Sequence, residues 1–390
     1  MCIGVMPHGF SRKRRIICGS IRNLSSERIH VRTRTDFSCT GLPAWFSLRP
    51  MTIKSIQSIG VIGGGAWGTA LAQTARLAGR EVVLCAREPE VVADINERRV
   101  NSQFLPGVPL DPALVATGDI ARIAGADAVL MVAPAQRVRA AGVELAGHLT
   151  AGTPVVICAK GLEQATGKLM GEVLAEVLPR ATLAALSGPS FAADVARGLP
   201  AALTLACTDE RLGEALAQAL GYRHFRLYWS GDVIGVQLGG AIKNVLAIAA
   251  GIVDGRQLGA SAHAALVTRG FAELRRFGAA FGARTETLMG LSGLGDLLLT
   301  CGSPQSRNMS LGRALGQGQA LDAVLGSRRS VAEGVYTAAA VAKVARERRV
   351  EMPICEAVHA IVQGRSTVDQ AIEALLTRPF KAESPPEALP

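Results

Sequence analysis

Lys243 is a residue whose type and position suggest proton transfer. It interrupts residues 233–253, the most apolar long segment of the chain. Gly239 and Gly240 lie near it at helical spacing, and we expect these small residues to leave room for a ligand beside the ammonium. A buried lysine is costly without a partner, and its pKa can fall far enough for proton transfer.

Asp296 can supply the negative charge that a buried lysine needs. Thr300 follows four residues later, so the two side chains would share one face of a helix. The sequence therefore predicts a proton-transfer site built from Lys243 and Asp296. The alternative for Lys243 is a side chain that extends to the surface.

Two segments that follow predicted buried strands carry groups suited to an anion. Lys160 begins one of them, and Gly188 and Ser190 lie in the other. Sites in α/β proteins form at the carboxyl edge of the sheet, so we expect these groups to meet there.

Ser306-Arg307-Asn308 places a guanidinium between two hydrogen-bonding side chains. Because arginine can pair with two phosphate oxygens at once, this segment suits a phosphorylated substrate. Taken alone, each of these segments is a weak signal.

The segment Gly63-Gly-Gly65-Ala-Trp-Gly68 has the spacing of a dinucleotide-binding turn. It lies between a predicted strand, 58–62, and a predicted helix, 69–77, as such a turn requires. Gly63 would permit the tight turn, Gly65 the close approach of the pyrophosphate, and Gly68 the packing of helix on strand. An ordinary glycine turn is the alternative.

Arg87 follows the second predicted strand, 81–86, where NAD-preferring sites usually carry Asp or Glu. A guanidinium can pair with the 2′-phosphate of NADPH, so we expect NADPH to be accepted. A solvated arginine at the strand end is the alternative, and strict coenzyme preference stays open.

Strands and helices alternate up to about residue 233, and only helices follow. The predicted strands are 58–62, 81–86, 128–132, 154–158, 182–186 and 202–206. The alternation predicts an α/β fold, in which a Rossmann-like dinucleotide-binding domain with a parallel sheet precedes an all-α substrate domain. The predicted boundaries are 1–54 for an N-terminal extension, 55–235 for the dinucleotide-binding domain, 236–378 for the helical substrate domain and 379–390 for a flexible tail.

The net charge of +10 is concentrated near the N-terminus. Residues 1–50 contain nine Lys and Arg residues and two acidic residues, so the rest of the chain is nearly neutral and we expect no nucleic-acid binding. The segment is an Arg-rich targeting peptide or lies upstream of the true start at Met51. We expect the second, and disorder in both cases.

Cysteine usage and hydropathy favour a cytoplasmic protein. The eight cysteines form no CxxC pair or zinc-type cluster, so we expect small buried side chains in a reducing compartment and no metal site. Gln237, Lys243 and Asn244 interrupt residues 233–253, so we expect a buried helix there and no integral membrane segment.

Several segments, in this order, resemble the bacterial NAD(P)-dependent glycerol-3-phosphate dehydrogenases over about residues 55 to 376. They are Ile62-Gly-Gly-Gly-Ala-Trp-Gly-Thr-Ala-Leu, the stretch from Asn101 to Gly107, Lys160-Gly-Leu-Glu, Ser187-Gly-Pro-Ser-Phe-Ala, Leu238-Gly-Gly-Ala-Ile-Lys-Asn-Val-Leu-Ala-Ile-Ala-Ala-Gly, Thr268-Arg-Gly, Gly293-Leu-Gly-Asp-Leu-Leu-Leu-Thr, Gln305-Ser-Arg-Asn and Val331-Ala-Glu-Gly. The resemblance implies reversible reduction of dihydroxyacetone phosphate to sn-glycerol 3-phosphate with NADPH or NADH, which feeds glycerophospholipid synthesis. The oligomeric state stays open, with a homodimer as one alternative.

The resemblance and the patterns above give one set of candidate residues. The candidate catalytic residues are Lys243, Lys160 and Asp296. The candidate substrate-binding residues are Lys160, Gly188, Ser190, Lys243, Asn244, Asp296, Thr300, Ser306, Arg307 and Asn308. The candidate cofactor-binding residues are Gly63, Gly65, Ala66, Trp67, Gly68, Arg87, Pro134, Lys160, Ala192, Arg307, Val331 and Glu333.

One segment departs from the family pattern. Where the family usually has Gly-x-Asn-Ala followed by Arg or Lys, this chain has Gly259-Ala-Ser261-Ala-His263. The change removes an amide and a permanent charge, which leaves a cofactor or lid contact in doubt. We expect His263 to be a partly exposed helix residue and not a general base.

Two other functions remain open from the residues alone. A two-domain reductase of the hydroxyacid or ketopantoate type shares the glycine turn and the helical domain, but does not require Ser306-Arg307-Asn308. A catalytically silent nucleotide-binding protein would not need Lys243 and Asp296.

Overall fold

The computed structural model describes residues 55–326 and 332–379, which belong to one compact unit, Thr52–Pro390. The predicted N-terminal extension, nearly all of the predicted tail and Val331 lie outside the described residues.

The described residues contain eight strands, which form a single sheet in the order β3-β2-β1-β4-β5-β6-β7-β8. The strands are β1 (Ser58–Ile62), β2 (Glu81–Cys85), β3 (Val115–Thr117), β4 (Ala128–Met131), β5 (Pro154–Ile157), β6 (Thr182–Ser187), β7 (Ala201–Cys207) and β8 (Phe225–Ser230). Strands β1 to β6 are parallel, and β8 is parallel to β7.

The prediction of a parallel sheet is wrong between β6 and β7, which pair antiparallel. The connection contains a helix of only five residues, Ala192–Ala196, which is about 7.5 Å long, whereas the six residues of β6 span about 20 Å. A helix this short cannot carry the chain back along the sheet, so the chain returns beside β6 in the opposite direction.

Fifteen α-helices occur in the described residues. They are α1 (Ala66–Leu77), α2 (Pro89–Ala93), α3 (Val138–Ala146), α4 (Met170–Val177), α5 (Ala192–Ala196), α6 (Glu210–Leu220), α7 (Val233–Gly255), α8 (Ala260–Ala279), α9 (Thr285–Met289), α10 (Asp296–Gly302), α11 (Arg307–Gly316), α12 (Leu321–Gly326), α13 (Glu333–Glu347), α14 (Pro353–Val362) and α15 (Val368–Leu376). Helices α7 to α15 follow the last strand, which confirms the predicted fold class: a Rossmann-like sheet with helices, then an all-helical region.

Both faces of the sheet are buried, as parallel sheets require. In β4, Val129 and Met131 pack into the apolar cluster on one face, and Ala128 and Leu130 pack into the cluster on the other. From β1 the chain first adds β2 and β3 on one side of the sheet and then β4 to β8 on the other, so the strand order reverses between β1 and β4. In α/β proteins, ligands bind at the carboxyl ends of the strands around such a reversal.

Helix α7 is the centre of the helical region. Its residues from Leu238 to Val253 are all buried, and α8, α10, α11 and α13 pack around it. Among the described residues it is the one helix whose length and composition would allow it to span a membrane, but 89% of its most apolar window is buried inside the protein. It is therefore the core helix of this region.

Glycines allow α7 and α11 to approach until their backbones touch. A Cβ atom added to Gly251 would lie 2.0 Å from the carbonyl oxygen of Met309, and one added to Gly255 would lie 2.3 Å from that of Arg313. On α11, Gly312 faces the carbonyl of Ile248 at 2.0 Å in the same way. This close crossing places the first turn of α11 beside the middle of α7.

We predict that Gly312→Ala destabilises the protein by about 1–3 kcal/mol, because the new methyl group would overlap backbone that can move only if the two helices separate. Urea unfolding followed by circular dichroism measures the effect. Gly147→Ala is the control: Gly147 has negative φ and no heavy atom within 4 Å of its Cβ position. Equal stability of the two variants would contradict the close crossing.

Candidate active site

Four neighbouring parallel strands, β1, β4, β5 and β6, end at the same edge of the sheet. Gly63 directly follows β1, Lys160 lies three residues after the end of β5, and Gly188 directly follows β6. Three candidate groups from distant parts of the sequence are thereby brought to one edge, as the sequence predicted.

The glycine turn has the backbone geometry of a dinucleotide site. Gly63 has φ +123°, which disfavours any residue with a side chain. A Cβ on Gly68 would lie 1.8 Å from the Gly63 carbonyl oxygen, so helix α1 packs directly on the turn. The Cβ position of Gly65 has no neighbour within 4 Å, which leaves that side of the turn open to a ligand.

The N-terminus of α1 is suited to bind phosphate. It has no side-chain cap and no acidic residue in its first turn, so its first N–H groups and its dipole face the open side of Gly65. The indole N–H of Trp67 is buried and has no hydrogen-bond partner among the described residues. Candidate residues Gly65, Ala66 and Trp67 therefore fit a pyrophosphate.

Arg87 lies two residues beyond Cys85, whose carbonyl accepts a hydrogen bond from the N–H of Gly63. Its side chain is 75% exposed, and one guanidinium nitrogen lies 3.6 Å from the Glu88 carboxylate. The structure therefore places Arg87 beside the glycine turn and leaves it accessible, with the Glu88 carboxylate as an acidic neighbour.

Asp296 brings the two candidate lysines together. One carboxylate oxygen, Oδ1, lies 2.6 Å from Nζ of Lys243, and the other, Oδ2, lies 2.7 Å from Nζ of Lys160. Lys243 also donates to Oγ1 of Thr300 at 2.8 Å, and Lys160 donates to the carbonyl of Gly188 at 3.3 Å. Asp296 is 0% exposed and Lys243 is 7% exposed, so the surface alternative for Lys243 is wrong.

The protonation of Lys243 depends on opposing effects. Burial lowers the pKa of its ammonium from 10.5 to about 8, the charge of Asp296 opposes this, and the charge of Lys160 adds to it. A lysine with this pKa can give and take a proton near neutral pH. Two ammonium groups share one carboxylate, so the cluster as a whole attracts an anion.

The glycines near Lys243 have a different role from the one expected. A Cβ on Gly239 would lie 2.4 Å from the carbonyl oxygen of Ser292, and one on Gly240 would lie 2.5 Å from Oγ of Ser187 and 3.4 Å from the stem of Lys160. The expectation that they leave room for a ligand is wrong, because these neighbours occupy the space. Their small size lets the lysines and Asp296 approach one another.

A chain of amide hydrogen bonds connects the helices to the Lys160 segment. The N–H of Gly334 donates to Oδ1 of Asn308 at 3.1 Å, and Nδ2 of Asn308 donates to Oδ1 of Asn244 at 2.9 Å. Nδ2 of Asn244 then donates to the Lys160 carbonyl at 3.3 Å. These contacts hold the backbone of Lys160 relative to α7, α11 and α13.

Glu333 connects α13 to the sheet. Its carboxylate accepts the N–H of Ala135, next to the candidate residue Pro134, at 2.9 Å. Burial raises the pKa of Glu333, while the Ala135 N–H and the charge of Arg307 act in the opposite direction. Arg307 is exposed at the start of α11. Its charge therefore links a candidate substrate-binding segment, Ser306 to Asn308, to the candidate cofactor-binding residue Glu333.

The remaining candidates have varied positions. Ser306 caps α11 by accepting the N–H of Met309, and Oγ of Ser190 donates to the Gly188 carbonyl. Ala192 begins α5, which packs beside α1. Ser261 and His263 lie in the first turn of α8, with Ser261 exposed and His263 partly exposed, as expected for His263.

Two contacts of the site were not anticipated. One is the hydrogen bond from the Ala135 N–H to Glu333, which no pattern of residue types could have indicated because the donor is a backbone group. The other is the bond from the Asn101 amide to the carbonyl of Gly64 inside the glycine turn, since Asn101 was recognised in the sequence only as part of a family-like segment. In residues 55–326 and 332–379, no group of three or more His, Cys, Asp or Glu side chains is placed to hold a metal ion.

Comparisons with known proteins identify the family. The model described as the N-terminus of NAD-dependent glycerol-3-phosphate dehydrogenase matches residues 58–213, and the model of its C-terminus matches residues 232–373. Glycerol-3-phosphate dehydrogenase [NAD(P)+] of Parvibaculum lavamentivorans is 61% identical over 328 residues, which cover 84% of this chain and 98% of the relative. That of Caulobacter vibrioides is 58% identical over 330 residues, 85% of this chain and all of the relative.

A solved structure agrees with these matches. The crystal structure of glycerol-3-phosphate dehydrogenase from Coxiella burnetii superimposes with a TM-score of 0.80 at 37% identity, and the alignment covers 83% of this chain and 99% of that one. The chain belongs to the NAD-dependent glycerol-3-phosphate dehydrogenase family.

Proposed function

We propose that this chain catalyses the reversible reduction of dihydroxyacetone phosphate to sn-glycerol 3-phosphate with NADPH or NADH, and that Lys243 carries the proton. The names of the relatives support the overall reaction. The observation that carries the proton assignment is the buried carboxylate of Asp296, which contacts the ammonium groups of both Lys243 and Lys160.

The residues that would hold the cofactor and the residue that would donate the proton come from different parts of the chain. A bound NADPH or NADH supplies a hydride to the C2 carbon of the substrate. The glycine turn and the start of α1, with Ala66 and Trp67, would hold its pyrophosphate, and Arg87 would bind the adenosine ribose. Pro134, Ala192 and Glu333 complete the proposed cofactor contacts, and Val331 remains a proposal from the sequence.

The protein's own groups handle the charge that develops on the substrate. Lys243 protonates the alkoxide at C2 in reduction and takes that proton back in oxidation. Lys160 stabilises the same oxygen, while Asp296 fixes both ammonium groups and offsets part of their charge. Thr300 holds Lys243 through its hydroxyl.

The substrate phosphate requires a separate positive group. We assign Arg307 to it, because Arg307 is exposed at the N-terminus of α11 and its charge acts on Glu333 together with those of Lys160 and Lys243. Ser306 and Asn308 flank Arg307 and hold its helix, and Asn308 retains an N–H for the substrate. Gly188, Ser190 and Asn244 complete the proposed substrate contacts.

The rival assignments make different demands. A hydroxyacid or ketopantoate reductase would prefer substrates without phosphate, so a panel of ketones at fixed NADPH concentration separates it from this proposal. A silent nucleotide-binding protein would show no turnover with any of them.

Cellular context is part of the proposal. We propose a cytoplasmic homodimer that supplies glycerophospholipid synthesis and binds no nucleic acid. The five cysteines in the described residues are free and buried, which supports a reducing compartment. Light scattering at micromolar concentration measures the oligomeric state.

Lys243→Met should lower kcat about 10²- to 10⁴-fold, because methionine fills the space but has no proton to exchange. The dissociation constant for NADPH, measured by nicotinamide fluorescence, should change by less than about threefold. Lys168→Met is the matched control, since Lys168 is 43% exposed and pairs with Glu176 away from the cluster. Turnover of Lys243→Met at the rate of the control would rule out Lys243 as the proton donor.

The pH dependence should have opposite signs in the two directions. Reduction needs protonated Lys243, so kcat/KM for dihydroxyacetone phosphate should fall as pH rises through about 8. Oxidation of glycerol 3-phosphate needs the neutral amine and should become faster through the same range.

Two variants test which groups set the pH at which kcat/KM for reduction falls, here called the alkaline limb of the pH profile. Asp296→Asn removes the charge that raises the pKa of Lys243, so the limb should move to lower pH. Lys160→Met removes a charge that lowers it, so the limb should move to higher pH. Displacement of both limbs in the same direction would contradict the proposed coupling, even where both variants are slow.

Arg87→Asp should raise the Michaelis constant for NADPH much more than that for NADH, because only NADPH carries the 2′-phosphate that a guanidinium would bind. Steady-state kinetics with each coenzyme at saturating dihydroxyacetone phosphate measures both constants. Equal changes would remove Arg87 from the ribose site.

A further inference from the structure

We infer that Asn101 is a positioning residue for the dinucleotide: its buried amide holds the peptide of the glycine turn in the orientation that binds phosphate. The inference rests on cofactor binding by this turn, as proposed above. It assigns a role to the segment from Asn101 to Gly107, to which the proposed reaction gives none.

Every polar atom of the Asn101 side chain has a partner in the protein. Nδ2 donates to the carbonyl of Gly64 at 2.8 Å and to Oγ1 of Thr69 at 2.8 Å, and Oδ1 accepts the N–H of Phe104 at 3.1 Å. The residue is 0% exposed. Asn101 therefore connects the middle of the turn, the first part of α1 and its own loop.

The contact with Gly64 determines where the next N–H points. In a trans peptide the carbonyl and the following N–H lie on opposite sides of the chain. Because the Gly64 carbonyl points at Asn101, the N–H of Gly65 points away from it. The Cβ position of Gly65 has no neighbour within 4 Å, so this is the open part of the turn.

The turn needs an external support because its residues are conformationally free. Three of its four glycines occur in succession, and glycine loses more backbone entropy on ordering than any other residue. A turn that is already held when the cofactor arrives binds it more tightly, since less ordering has to occur on binding.

Asn101 is itself held independently of the cofactor site. Its carbonyl accepts the N–H of Leu105, which is 3% exposed in the apolar core, and the neighbouring N–H of Ser102 donates to the buried carboxylate of Asp94 at 2.7 Å. The support is therefore part of the folded core before any ligand binds.

Asn96 provides a matched control in the same region. Its amide also makes two hydrogen bonds to backbone, donating to the Ala116 carbonyl at 2.9 Å and accepting the Ala116 N–H at 2.8 Å. Those bonds hold β3, and none of them reaches the glycine turn. Asn96 is partly buried, so removing it tests the cost of losing an asparagine that holds backbone in this domain without disturbing the proposed support.

The experiment measures NADPH and NADH binding to the purified full chain by fluorescence titration, without substrate. Asn101→Ala and Asn101→Asp should raise both dissociation constants about 10- to 100-fold, since the Gly64 carbonyl keeps only the longer 3.4 Å bond from the Thr69 hydroxyl and, in the Asp variant, faces a carboxylate. At saturating cofactor, kcat should stay within about threefold. Asn96→Ala should lower the melting temperature but leave both dissociation constants unchanged.

Thr69→Val keeps the inference testable if the Asn101 variants do not fold. It preserves shape and removes one acceptor of the Asn101 amide together with the weaker 3.4 Å hydroxyl bond to the Gly64 carbonyl, so we expect a rise in both dissociation constants of about threefold. Unchanged binding in folded Asn101→Ala, equal loss of affinity in Asn96→Ala, or, where only Thr69→Val folds, wild-type affinity would each overturn the inference. Failure of the wild-type chain to bind either coenzyme would instead overturn the proposed function.

Discussion

The carboxylate of Asp296 is the group on which the rest of the site depends. It has no contact with solvent, and a buried carboxylate is costly unless its charge is paired and its oxygens accept hydrogen bonds. Each oxygen receives one ammonium, from Lys243 on α7 and from Lys160 after β5. The requirement to pair one charge thus fastens the helical region to the edge of the sheet, at the proposed site of the reaction.

Distances of 2.6 and 2.7 Å require that the backbones carrying these groups come close together. Helix α7 meets the requirement with glycine at three of its contacts: Gly239 against the turn before α10, Gly240 against β6 and the Lys160 stem, and Gly251 against α11. A larger side chain at Gly239 or Gly240 would push Asp296 or Lys160 away from Lys243, and one at Gly251 would displace α11. The composition of α7 is therefore a consequence of the chemistry it positions.

Much of this arrangement could be predicted from the sequence, because it depends on local patterns. The glycine turn, the loss of strands after residue 230 and the polar residues inside apolar segments all follow from spacing and residue type. Strands β3 and β8 were not predicted from any such pattern. Strand β7 was predicted as a strand, but its antiparallel pairing was not, since pairing direction depends on tertiary path. The small residues near Lys243 were misinterpreted because spacing shows where a side chain is small, but not what fills the space.

The two halves of the reaction place different demands on the protein, and the structure separates them accordingly. The dinucleotide needs fixed backbone groups, which the sheet edge and its supports provide. The proton needs a side chain whose pKa is lowered by burial, which a helical core provides more readily than an exposed sheet edge. Reaction then depends on the alignment of the two parts. Besides the packing of α7 on β6, three polar contacts set that alignment: the Asp296 pairing with Lys160, the Asn244 bond to the Lys160 backbone, and the Glu333 bond to Ala135. Since these contacts involve the proposed catalytic and cofactor residues, relative movement of sheet and helices would act directly on the proposed site.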